Sequence, residues 1–197
     1  MNWKIWYNLP NKKSFAFIGR SGTSSLGLMS LKTFYPDRLK FAPENIHCGM
    51  AHRLNDHEMG KKLPDGCLVM VRNPIERFIS LLNRFNVSVD RAINLMYWFY
   101  DLGNKPKKTD RSEIEHYASI EIYHFAPLVY FLKNAKLVNL IPFPDFQKAA
   151  EYLDLNYNHE HINISEKKIE LTSEQKNIIK IIYNEDFKIW KNIKEII

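Results

Sequence analysis

The apolar run Cys67-Leu68-Val69-Met70-Val71 stops abruptly at Arg72-Asn73-Pro74. Consecutive apolar residues over one short stretch fit a strand buried on both faces, as parallel sheets require. Pro74 suits the first turn of a helix, where its missing N–H costs nothing. Ile75 to Phe85 then places Ile75, Phe78, Ile79 and Leu82 on one helical face. A buried strand that passes directly into a helix is the repeating unit of an α/β sheet. Few other folds accept it.

The same order recurs along the chain. Ser14 to Gly19 (SFAFIG) is a short apolar run ending in glycine, Arg20 to Ser25 (RSGTSS) is a polar turn, and Leu26 to Phe34 reads as a helix. Leu137 to Ile141 (LVNLI) is a further buried strand, followed by a helix over Asp145 to Leu153. Leu39 to His47 is a weaker strand candidate broken by Pro43, and Ala51 to Lys62 fits a polar surface helix. Val89 to Leu102 has helical spacing at Ile93, Met96, Tyr97 and Tyr100. Ser112 to Leu132 is mostly helical by pattern, with Pro127 set to divide it. Thr172 and Gln175 form a capping-box pattern ahead of a final long helix. Its expected inward face is Ile178, Ile181, Ile182, Phe187 and Trp190. Strands that alternate with helices predict a parallel sheet flanked by helices.

The 197 residues suit one domain, taken as 1–197. An apolar fraction of 45% with 25% charged residues excludes disordered, collagenous and coiled-coil classes. The net charge of +6 favours an anionic ligand. Two cysteines, Cys48 and Cys67, are too few for a zinc site or a disulfide framework. No signal-peptide core and no run of about 18 apolar residues is visible. The expectation is therefore a cytoplasmic protein with no membrane partner.

Ligands of parallel sheets bind at the carboxyl ends of strands. Two of the strongest strands end in polar loops, Arg20 to Ser25 and Arg72 to Pro74. In the first, Gly22 lets the backbone approach an anion. Thr23, Ser24 and Ser25 offer hydroxyls, Arg20 offers a permanent charge, and the following helix adds positive potential. It is not a Walker A loop, because only two residues separate Gly19 from Gly22 and no Lys follows. In the second, Arg72 and Ser80 flank a position where a phosphate would take a guanidinium fork and a hydroxyl.

Together these segments resemble the nucleotide-dependent sulfotransferases, in the branch that sulfates carbohydrates. The pattern Arg-Asn/Asp-Pro-x-x-Arg-x-x-Ser is complete as Arg72, Asn73, Pro74, Arg77 and Ser80. The family's Pro-Lys-x-Gly-x-Thr-Ser loop is matched at Gly22, Ser24 and Ser25, with Arg20 where the family usually has Lys. Arg keeps the charge and adds a fork, but it cannot donate a proton to the leaving group. Weaker likenesses are Ile162 to Lys168 and Tyr183-Asn184-Glu185-Asp186-Phe187, and the matched segments run from about Ser14 to Trp190.

The resemblance implies a P-loop-nucleotide-hydrolase-like fold and an enzyme. That enzyme moves a sulfuryl group from 3′-phosphoadenylyl sulfate (PAPS) to a hydroxyl of a carbohydrate or small molecule, leaving adenosine 3′,5′-bisphosphate (PAP), without a metal. Donor contacts would come from Arg20, Ser21, Gly22, Thr23, Ser24, Ser25, Arg72, Ser80 and Lys167. Arg20 would stabilise charge in the transfer. The base would be His47, near the end of the family's second strand, with His52 next and Glu44 third. His124 resembles a position near the acceptor cleft. Two other classes stay open at this point: a P-loop small-molecule kinase, and a catalytically degenerate module that binds PAP or nucleic acid. Nucleic acid has weak support, from the basic loop Lys105 to Lys108 near aromatic residues.

Overall fold

In the computed structural model, residues 4–39, 55–99, 124–157 and 169–195 are described. Their strands are β1 (Lys4–Asn8), β2 (Ser14–Ala16), β3 (His57–Gly60), β4 (Cys67–Val71) and β5 (Val138–Pro142). These form one sheet in the order β3-β1-β2-β4-β5. The helices are α1 (Thr23–Phe34), α2 (Pro36–Leu39), α3 (Pro74–Phe85) and α4 (Val89–Phe99), then α5 (Leu128–Leu132), α6 (Phe146–Leu153), α7 (Ser173–Ile182) and α8 (Asn184–Glu195).

The class is α/β, as expected, but the sheet is mixed rather than parallel. β2, β4 and β5 run parallel, whereas β1 is antiparallel to both β2 and β3. The cause is the length of the β1–β2 connection. Only Leu9 to Lys13 join the two strands, closed by Leu9 N to Lys13 O at 2.9 Å. A loop that short returns the chain antiparallel, because a parallel neighbour needs a crossover of a dozen or more residues.

Four further expectations are corrected. The Leu137–Ile141 stretch is not a buried strand: β5 ends the sheet among the described residues, only its Ile141 is buried, and Leu137 is 68% exposed, because β5 has a strand neighbour on one side alone. Residues 57–60 of the expected Ala51–Lys62 helix form strand β3, since Lys4 to Tyr7 offer an edge that pairs with them. Leu39 ends the short helix α2, and the rest of the proposed Leu39–His47 strand lies outside the described residues. The terminal helix is interrupted at Tyr183 and buries Ile179, while Ile181 is 69% exposed. The Thr172–Gln175 capping box is present in both directions, at 3.1 and 3.0 Å.

β4 is buried along its whole length, and Phe15 and Leu68 pair across the parallel β2–β4 junction. One apolar cluster joins the sheet to α1 and α6 through Phe15, Leu26, Met29, Val69, Phe146 and Leu153. A second joins α3, α4 and α7 through Phe78, Leu81, Leu82, Ile93, Met96 and Ile179. Each fully buried side chain of this size contributes about 1.5–3 kcal/mol. Among the described residues, no helix is long and apolar enough to cross a membrane.

Candidate functional site

Because β2 and β4 are adjacent and parallel, the loops that follow them leave the same edge of the sheet side by side. The first loop turns tightly. Arg20 (φ 60) and Gly22 (φ 84) both have left-handed backbone. Glycine is required at position 22, where a Cβ would lie 2.7 Å from Phe146 Cε1 and 3.0 Å from Met70 Sδ. Gly22 is also the N-cap of α1. No side chain caps that end, and no acidic residue stands in the first turn. The first intrahelical bond runs from Leu26 N to Gly22 O, so positive helix-end potential faces the loop. The Thr23 hydroxyl donates to Ile18 O at 2.9 Å and accepts from Ile18 N at 3.3 Å, which locks the end of β2 onto the start of α1. Ser21 and Ser25 are buried and Ser24 is half-buried.

The second loop is set by its own helix start. Asn73 is the N-cap of α3, its side chain accepting from Ile75 N at 2.9 Å and Glu76 N at 3.4 Å, with Pro74 following. That geometry directs Arg72 toward the first loop and brings Ser80 along the same helix. Arg20 Nε donates to Ser80 Oγ at 2.7 Å, and Arg72 Nη1 donates to Arg20 O at 3.2 Å. Arg20, Ser21, Gly22, Arg72 and Ser80, picked out from two segments of sequence, thus meet at one place.

Arg72 is held on several sides. Its guanidinium lies 4.6 Å from the Phe143 ring centroid, and Glu76 Oε2 stands 3.7 Å from Nε, an ion pair beyond hydrogen-bond distance. Among the described residues this buried Nε meets no hydrogen-bond acceptor. Burial pulls the Arg72 guanidinium below its ordinary value. Glu76 opposes that pull and Arg77 adds to it. Phe143 was not foreseen from sequence; its only signal is its place just after β5, at the carboxyl edge.

Arg77, the second arginine of the motif, has a structural task. It is 3% exposed and donates to Gly19 O at 3.1 Å, His124 O at 2.7 Å and Ala126 O at 2.9 Å. Two more polar groups hold the same segment. Tyr183 Oη donates to Phe125 O at 2.6 Å, and Asp186 accepts from Leu128 N at 2.6 Å and Val129 N at 3.1 Å. Burial raises the Tyr183 hydroxyl well above its usual range. Burial also raises Asp186, against the downward pull of its two backbone donors and of Arg77. The His124 ring packs edge-on against Phe17 and Phe85, at 5.6 and 5.1 Å between centroids. It lies so close to Gly19 that a Cβ there would meet its Cδ2 at 2.6 Å.

His47, His52, Glu44 and Lys167 lie outside the described residues. Chemically, the described part is a cationic, hydrogen-bond-donating surface at the carboxyl edge of two parallel strands. Such a surface suits a phosphate or sulfate group. Comparison of the chain with models of protein families, with curated proteins and with solved structures finds no match.

Proposed function

We propose that the protein is a PAPS-dependent sulfotransferase with a P-loop-type fold, acting on a hydroxyl of a carbohydrate or small molecule. The observation that carries this reading is the 2.7 Å hydrogen bond from Arg20 Nε to Ser80 Oγ. It joins the first loop to the helix that follows the second, bringing together two residues expected to grip the two ends of the donor's phosphate array, though they are 60 residues apart in sequence. The buried Arg72 Nε, which meets no acceptor among the described residues, supports the reading too, because a ligand phosphate would supply one.

PAPS supplies the sulfuryl group. In this reading the loop amides and Arg20 stabilise charge on the oxygens around sulfur, and Arg72 and Ser80 read the 3′-phosphate. Positioning and charge stabilisation do most of the work in such in-line transfers. His47 takes the acceptor proton, with His52 and Glu44 as the alternatives.

A thermal-shift series tests the assignment. Adenosine 3′,5′-bisphosphate should stabilise the chain more than AMP or ADP, by about 2.7 kcal/mol at a hundred times its dissociation constant. Equal shifts from AMP and the bisphosphate refute it, and a strict Mg²⁺ requirement points to a kinase instead. Arg72→Ala should weaken bisphosphate binding roughly ten- to hundredfold and leave AMP nearly unchanged, since a charged hydrogen bond is worth about 1.5–3 kcal/mol. Tight bisphosphate binding with no transfer to any hydroxyl acceptor would identify a degenerate binding module.

A further inference from the structure

We propose that Asp186 is a counter-charge that sets the affinity of the arginine site for anions, acting through Arg77 and Arg72 without touching the ligand. The proposal rests on the nucleotide reading of that site. Asp186 belongs to the first turn of α8, remote in sequence from both loops, and is 3% exposed. Its oxygens accept from Leu128 N and Val129 N. The residue lines one small cavity with Ser21, Arg72, Arg77, Met70 and Leu128. That cavity, of about 10 Å³, has room for roughly one water. Arg72, on the same wall, has the buried Nε that meets no acceptor among the described residues.

A carboxylate held behind guanidinium groups cancels part of the field they project at the sheet edge. A ligand phosphate and Asp186 therefore compete for the same cations. At a separation of about 12 Å, with an effective dielectric of about 20, one unit charge alters anion affinity by about tenfold. The charges facing Asp186 are Arg77 from α3, Arg72 from the β4–α3 loop and Glu185 from its own helix, with the two N–H groups of α5. Keeping a negative charge there weakens the grip on the bisphosphate and so favours its release after transfer.

A purely structural cap predicts the opposite sign. Loss of the cap would loosen the 124–129 segment that Arg77 also holds, and affinity would fall or stay level. Calorimetric titration of the full chain with adenosine 3′,5′-bisphosphate separates the two. Asp186→Asn should bind about tenfold more tightly. Tyr183→Phe, which removes a neighbouring clamp but no formal charge, should bind as the wild type does. Equal or weaker binding by Asp186→Asn overturns the proposal. Should that variant fail to fold, the Asp186 carboxyl can be followed by NMR in the wild type. Ligand should raise its titration midpoint, and an unmoved midpoint overturns the proposal. Inorganic pyrophosphate serves as a second probe. Binding of pyrophosphate but not of the bisphosphate refutes the nucleotide reading while the Asp186 comparison still decides the counter-charge. Binding of neither overturns both.

Discussion

Arg77 is accommodated at 3% exposure because three carbonyls accept from its guanidinium. Arg77→Ala would orphan the carbonyls of Gly19, His124 and Ala126 together. The expected loss, read from urea unfolding, is about 3–5 kcal/mol. Arg77→Lys should recover only part of it, since a compact ammonium cannot reproduce a planar fork. At Gly22 the constraint is steric. Gly22→Ala forces a side chain into left-handed backbone and against Phe146, and should cost about 1–3 kcal/mol in the same assay. Cys67 has a third kind of environment. Burial pushes its thiol up to about 12, so it should stay unmodified by thiol reagents in the native protein and react on unfolding. Peptide mapping separates it from Cys48, and fast native labelling of Cys67 would contradict its burial in β4.

Two of the helix starts that carry side-chain caps are of similar local worth and different reach. Thr172 and Gln175 close the N-terminus of α7, and Asn73 closes that of α3. Replacing either Thr172 or Asn73 by Ala should lower stability by about 1 kcal/mol. Only Asn73→Ala should also weaken bisphosphate binding, because α3 carries Ser80 and Asn73 follows Arg72 directly. If both variants bind equally well, the start of α3 has no bearing on the site. Legibility in sequence follows the same division. β4, α3, α6 and the α7 cap could be read because each rests on local pattern: an unbroken apolar run, a helical period, a capping pair. β3 could not. The sequence His57-Glu58-Met59-Gly60 lacks β-branched residues, and it becomes a strand only by pairing with Lys4–Tyr7.

Across the whole molecule, acid sensitivity should reflect opposed carboxylates. Asp56 is held below its ordinary range first by the hydrogen bond from Tyr35, at 2.8 Å, then by Arg38. A lowered value in the folded state means stability that is present above the unfolded carboxylate value and is lost as pH falls through the folded one. Asp186 is raised by burial, so its ionisation opposes folding and its protonation returns stability on the way down. Asp56→Asn should therefore flatten the acid limb of a stability–pH curve, and Asp186→Asn should steepen it. Matching slopes in all three proteins would refute this balance.

Sequence alone determined the α/β class, the apolar strands at the centre of the sheet, and the two polar loops that follow β2 and β4. These are decided within a few residues, by apolar continuity, helical period and turn chemistry. Tertiary structure decided the rest. The antiparallel place of β1 follows from a short hairpin whose partner strand no local pattern names. Lys4 adds to the concealment, a buried charge at the strand's start whose ammonium lies 3.4 Å from the Tyr130 ring centroid. The division of labour among the arginines was also invisible beforehand. Arg20 and Arg72 face each other's loops while Arg77 turns inward to three carbonyls, because carbonyls from residues 19, 124 and 126 converge only once the chain has folded.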